Sequence, residues 1–151
     1  MGWMVNDGTR NPHGFNGADN SHYVTSVNKI AYGDGGIDDA EDATVILHEY
    51  GHAIQHSEVP GWGGGESKAL GEGFGDYWAG SYLRSISLYN ADTVFNWDGS
   101  SGGRRTLLDP RGYPRNGVVG IEEHNAVQIW SSVLMRLWKD IGRDEMDKLV
   151  L

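Results

Sequence analysis

His48 and His52 stand four residues apart in V-I-L-H-E-Y-G-H-A-I-Q-H, Val45 to His56. On a helix that spacing projects both imidazoles from one face, one turn apart. Two neutral ring nitrogens held this way form a chelating pair for zinc. Glu49, on the neighbouring edge, is placed to act as a general base beside the ion instead of as a ligand to it. A catalytic metal also needs a third protein ligand and a position left open for water. Downstream, G-E-G-F-G-D offers Glu72 and Asp76, again four apart. Glu72 can complete the ligand set. Asp76, one turn later, can accept a hydrogen bond from a liganding imidazole and so fix its tautomer. The plainer reading is two half-exposed helices carrying solvated histidines and carboxylates. The glycines flanking Glu72 speak against it, because they suit that helix to tight packing. His56, one turn further along, reads as a last-turn cation favoured by the helix dipole.

Helices must position these groups, and the chain supplies them. Asp38 with Glu41 resembles a capping box, and Ala43, Ile46, Leu47, Tyr50 and Ile54 recur at helical spacing up to a stop near Pro60. After the link P-G-W-G-G-G, a second helix is expected over 67–83. Its four glycines, Gly71, Gly73, Gly75 and Gly80, cost roughly 1 kcal/mol each against alanine, which predicts close approach to another backbone. A third helix is expected near 122–141, with Val127, Trp130, Leu134, Leu137 and Trp138 on its buried side, and a fourth from Arg143. Ahead of them, Gly2–Gly17 reads as loop with one short strand at Trp3–Val5, and H-Y-V-T-S-V-N-K-I-A-Y as one or two strands. Residues 85–120 read as irregular. The class is therefore α+β: a small β-rich N-terminal part, 1–37, then a mainly helical part, 38–151, in one domain with the site between them.

Composition narrows the function. The 151 residues are 38% hydrophobic, enough for a core, and carry a formal net charge of -9 with pI near 4.9. An acidic surface suits neither nucleic acid nor an anionic membrane. With no cysteine, disulfide and thiolate chemistry are excluded. No apolar run reaches the length of a membrane span, and no signal-peptide core is present. The abrupt start and the uncapped final helix read as the ends of a piece of a larger chain.

H-E-Y-G-H followed by G-E-G-F-G-D resembles the gluzincin metallopeptidases, thermolysin-like and fungalysin-like. The resemblance implies a zincin-like fold and a zinc-dependent endopeptidase, with His48, His52 and Glu72 as ligands, Glu49 as base and Asp76 supporting a ligand. R-T-L-L-D-P resembles a family segment whose arginine contacts the substrate carbonyl, which implies that role for Arg105. E-H-N-A-V-Q-I-W resembles the start of a long helix whose histidine stabilises the oxyanion, which implies that role for His124, oriented by Glu122 or Glu123. Tyr77 and Tyr113 are the candidates for a family tyrosine beside the oxyanion. N-S-H-Y lies where the family has an edge strand that pairs with substrate, so Asn20 and Ser21 are expected to contact substrate main chain. Calcium, a family cofactor, finds no matched ligands; the acids of D-D-A-E-D are explained by capping. The resemblance further implies secretion and a peptide or protein substrate. The alternatives are a non-catalytic zinc-binding module of peptidase descent and an incomplete catalytic fragment.

Overall fold

Asp42, not Asp38, opens the helix that carries the histidines. The structure, a computed structural model, describes residues 13–15, 19–33, 35–101, 103–114, 121 and 123–151. In it Asp38 accepts from the Ala40 N–H and caps a single 3-10 turn, Asp39–Glu41. The chain restarts at Asp42, whose carboxylate accepts from the Thr44 N–H at 2.7 Å and begins α1, Ala43–Glu58. Two successive aspartate caps thus replace the expected capping box. The buried face of α1 also differs from expectation. It comprises Thr44, Val45, His48, Glu49 and Gly51, whereas Ile46, Leu47, Tyr50 and Ile54 are half-buried and Ala43 is exposed. The polar face is turned inward.

The second helix, α2, runs Glu66–Ile86, longer at both ends than expected, and lies against α1. A Cβ added at Gly51 would come 3.0 Å from the Gly75 Cα, so the two helices meet backbone to backbone, as the glycines predicted. Against the other side of α2 packs α3, Glu123–Ile141, followed by α4, Arg143–Val150. Val127 and Leu134 are buried as expected, but Trp130 and Leu137 are 37% and 43% exposed, and Met135 and Ser131 take the interior positions. Tyr77 and Ser81 of α2 both donate to Asp147 of α4, and Trp138 of α3 donates to Ser81, which ties the three helices by their polar groups.

Three short strands form a mixed sheet in the order β1-β3-β2. Strand β1, His13–Phe15, falls within a stretch expected to be loop and runs parallel to β3, Lys29–Gly33. Strand β2, His22–Val24, pairs antiparallel with β3, His22 opposite Ala31 and Val24 opposite Lys29. The expected strand at Trp3–Val5 lies outside the described residues. A second sheet, β4 Thr93–Val94 with β5 Arg105–Thr106, occupies the segment expected to be irregular. The core gathers Tyr32, Val45, Tyr77, Val94, Phe95, Leu107, Leu134, Met135 and Met146, so both sheets and all four helices contribute. No helix among the described residues is long and apolar enough to cross a membrane.

Candidate metal centre

Residues His48 and His52 of α1 bring their Nε2 atoms to 3.0 Å from each other, with the rings edge to face. Glu72, reaching across from α2, sets Oε2 at 3.3 Å from His48 Nε2 and Oε1 at 3.3 Å from His52 Nε2. The donor atoms of the three all lie within 4.8 Å of one another, an arrangement that can hold a metal ion. Behind them His48 Nδ1 lies 2.9 Å from Asp76 Oδ1, and Asp76 is wholly buried. The two groups meet as a close ion-pair contact and not as a regular hydrogen bond. The distance decides its meaning: a proton held at Nδ1 leaves the Nε2 lone pair facing Glu72 and His52.

The electrostatics are those of a buried, mutually neutralising group. Burial alone would push the His48 pKa down, but the close Asp76 and Glu72 carboxylates outweigh it and carry it up to about 9. For Glu72 burial favours the neutral acid, and the two histidines overcome it, holding the carboxyl well below the ordinary range. Glu49 is 6% exposed, and its Oε2 is enclosed without a hydrogen-bond partner. It lines a cavity of about 350 Å³ together with Asn20, Ser21, Arg105, His124 and Gln128.

The other expected site residues fall as follows. Arg105, on β5, places one guanidinium nitrogen 3.3 Å from Asp76 Oδ1 and 3.2 Å from Glu72 Oε2, so it braces the Glu72 carboxylate. His124, at the start of α3 and 55% exposed, has its Nε2 3.6 Å from the same oxygen. Glu122 and the Glu123 side chain lie outside the described residues. Asn20 is exposed, and the Ser21 hydroxyl is engaged, donating to Asp39 and accepting from the Gly33 N–H at 3.1 Å. Tyr77 points away into the helix interface, and Tyr113, exposed, has its pKa raised by a hydrogen bond to Glu66. His56, in the last turn of α1, meets the Tyr23 hydroxyl at 3.0 Å.

Phe95 has no counterpart among the expected residues. Its φ is +59°, its N–H donates to Thr44 Oγ1 at 2.7 Å, and its ring lies 4.4 Å beneath the Arg105 guanidinium and 5.4 Å from the His48 ring. A left-handed conformation at a phenylalanine has no signature in composition or spacing.

A second acidic group, Asp19, Asp39 and Asp98, lines the same cavity. Burial first, then the charge of Asp39 and a hydrogen bond with it, push the Asp98 carboxyl up to about 6. The chain matches no family model, no curated protein and no solved structure, so the meaning of the site rests on its own residues.

Proposed function

We propose that the chain is a zinc-dependent endopeptidase with a zincin-like core, of the gluzincin kind that its motifs resemble. The observation that carries this reading is the convergence of His48, His52 and Glu72 beside Glu49, whose buried Oε2 lacks a donor. The donor separations suit the ion. Zinc–ligand bonds of roughly 2.1 Å put the corners of a tetrahedron about 3.4 Å apart, against 3.0, 3.3 and 3.3 Å here. Two imidazoles and one carboxylate are also the donor set of a catalytic zinc, with one position left for water. Bound there, zinc supplies a Lewis acid that acidifies water and polarises a carbonyl.

The chain's own groups do the rest. Glu49 takes a proton from the attacking water at its unpartnered oxygen and later delivers it to the leaving amine nitrogen. His124, at the open side of Glu72, donates toward the carbonyl oxygen as negative charge develops there. Arg105 adds positive charge beside the same place while it holds Glu72. Strand β2 is the outer strand of its sheet among the described residues, so a peptide can add along its free edge, near Asn20 and Ser21. Because the Ser21 hydroxyl is already engaged, its contribution is from the main chain. Peptides and proteins outside the cell are the substrates this reading implies.

The test is Glu49→Gln, with zinc content measured alongside cleavage of casein or a quenched peptide. Zinc should stay bound while turnover falls by about a hundredfold or more. A zinc-loaded variant as active as the parent would sink the assignment. A parent protein that binds zinc and cleaves nothing would instead be a non-catalytic module or an incomplete catalytic fragment.

A further inference from the structure

We infer that Phe95 is a positioning residue of the candidate metal centre: its ring is the platform that holds the Arg105 guanidinium against Glu72 and Asp76. The backbone points to it first. Three non-glycine residues among those described take a left-handed φ. Two of them, Asn28 and Asn90, are asparagines, a type that tolerates it. Phe95, at +59°, is a bulky residue in a conformation that glycine would adopt without strain. Such strain persists only where the surroundings impose it, and it gathers at functional sites.

The surroundings here are the first turn of α1. Thr44 Oγ1 accepts from the Phe95 N–H at 2.7 Å and itself donates to Asp42 Oδ1 at 2.6 Å. The other oxygen of Asp42 accepts from the Trp97 and Asp98 N–H groups. Two side chains at one helix start thus clamp three amides of the loop and aim the ring at the joint between α1 and α2. There the ring centre lies 4.4 Å beneath the Arg105 guanidinium carbon and 5.4 Å from the His48 ring, to which it stands edge to face. Phe95 is itself buried, so water is kept from the contact.

What the ring supplies follows from what the carboxylates leave undone. Both contact Arg105 through the same nitrogen, which fixes a point but not the plane of the guanidinium. An aromatic face within about 6 Å attracts a cation and sets that plane. It offers no lone pair to draw the N–H groups away from Glu72 and Asp76. Leucine would fill the space without that attraction. Through Arg105, the ring steadies Glu72 in its place beside His48 and His52. The consequence for zinc rests on the reading above; the placement of Arg105 does not.

Phe95→Leu and Phe95→Tyr are compared with the parent chain, and Met135→Ala, a truncation in the same core but on α3, is the control. Proton NMR of the metal-free chains reads the platform directly. In the parent the Arg105 side-chain protons should be shifted upfield by the ring current. That shift should vanish in Phe95→Leu and persist in Phe95→Tyr and Met135→Ala. Zinc affinity, from competition with a chromophoric chelator, should fall by about tenfold in Phe95→Leu and stay near the parent value in the other two. The visible spectrum of the cobalt-substituted chain should change in Phe95→Leu alone. Arg105 protons unshifted in the parent, or shifted as much in Phe95→Leu, would overturn the proposal, the first whatever the stability of the variants. An affinity loss no greater in Phe95→Leu than in Met135→Ala would make Phe95 ordinary core and overturn its role at the metal. A parent chain that takes up no zinc would defeat the zinc reading instead, while the Arg105 protons still decide the platform.

Discussion

At Gly75 one added carbon would strike the His48 ring itself. A Cβ there would sit 2.7 Å from His48 Nδ1, and the Gly51 contact leaves α1 little room to shift. Gly75→Ala is therefore expected to displace His48 and weaken zinc binding by about tenfold or more, at a stability cost of about 1–3 kcal/mol. Gly71, one turn earlier, is the control. A Cβ there would meet the flexible end of Gln55 and the Trp62 ring, so Gly71→Ala should bind zinc normally and change stability by about 1 kcal/mol or less. Competition with a chromophoric chelator measures both affinities. A Gly75→Ala protein with normal affinity would show that the ring can be relocated without loss. Asp76→Asn probes the same imidazole from the other side. It removes the negative charge behind Nδ1, and affinity should fall by about tenfold to a hundredfold with the fold retained.

Among the elements, α1 and the loop after β4 are joined through one carboxylate. Asp42 caps α1 with Oδ1, and its Oδ2 accepts from the Trp97 and Asp98 N–H groups at 2.9 and 3.2 Å. Asp42→Ala removes the cap and leaves two further N–H groups without acceptors, so a loss of about 3 kcal/mol is expected, well beyond the cost of an ordinary cap. Urea unfolding checks it, and a loss under about 1 kcal/mol would mean that water replaces all these bonds. The loop matters because Phe95 in it touches both His48 and Arg105. This is also the boundary of what the sequence makes legible. His48, Glu49, His52, Glu72 and Asp76 can be read because helical periodicity converts spacing into direction. The glycines of α2 can be read because their cost demands close packing in return. The left-handed Phe95, the two-residue strands β4 and β5, and the inward turn of Asp39 carry no such period. They are set by tertiary contacts between segments far apart in the chain. Trp130 misleads in part: its ring does pack on α2, where a Cβ at Gly73 would come 2.7 Å from it, but it stays 37% exposed at the rim of that contact.

For the molecule as a whole, the site is the joint between α1 and α2, and its charge state sets how stability varies with pH. In the metal-free protein His48 is the buried cation that neutralises Glu72 and Asp76. Its folded-state pKa of about 9 lies above the 6.5 of the unfolded chain. The sign follows: the stability it contributes is fully present below about pH 6.5 and is lost as pH rises through about 9. Glu72 adds nothing to the slope in that window, because its folded pKa is depressed and its contribution declines only in acid. Zinc bound as proposed would reverse the dependence, since metal binding requires neutral imidazoles and a loaded protein gains as protons are released. Urea midpoints from pH 6 to 10 should therefore fall for the chelated protein and rise, then level off, for the zinc-loaded one. The gap between them should widen with pH. Restoring zinc, but not magnesium, should return the upper curve. Parallel curves would mean that His48 does not exchange a proton for the metal, and the joint between the two helices would then need another explanation.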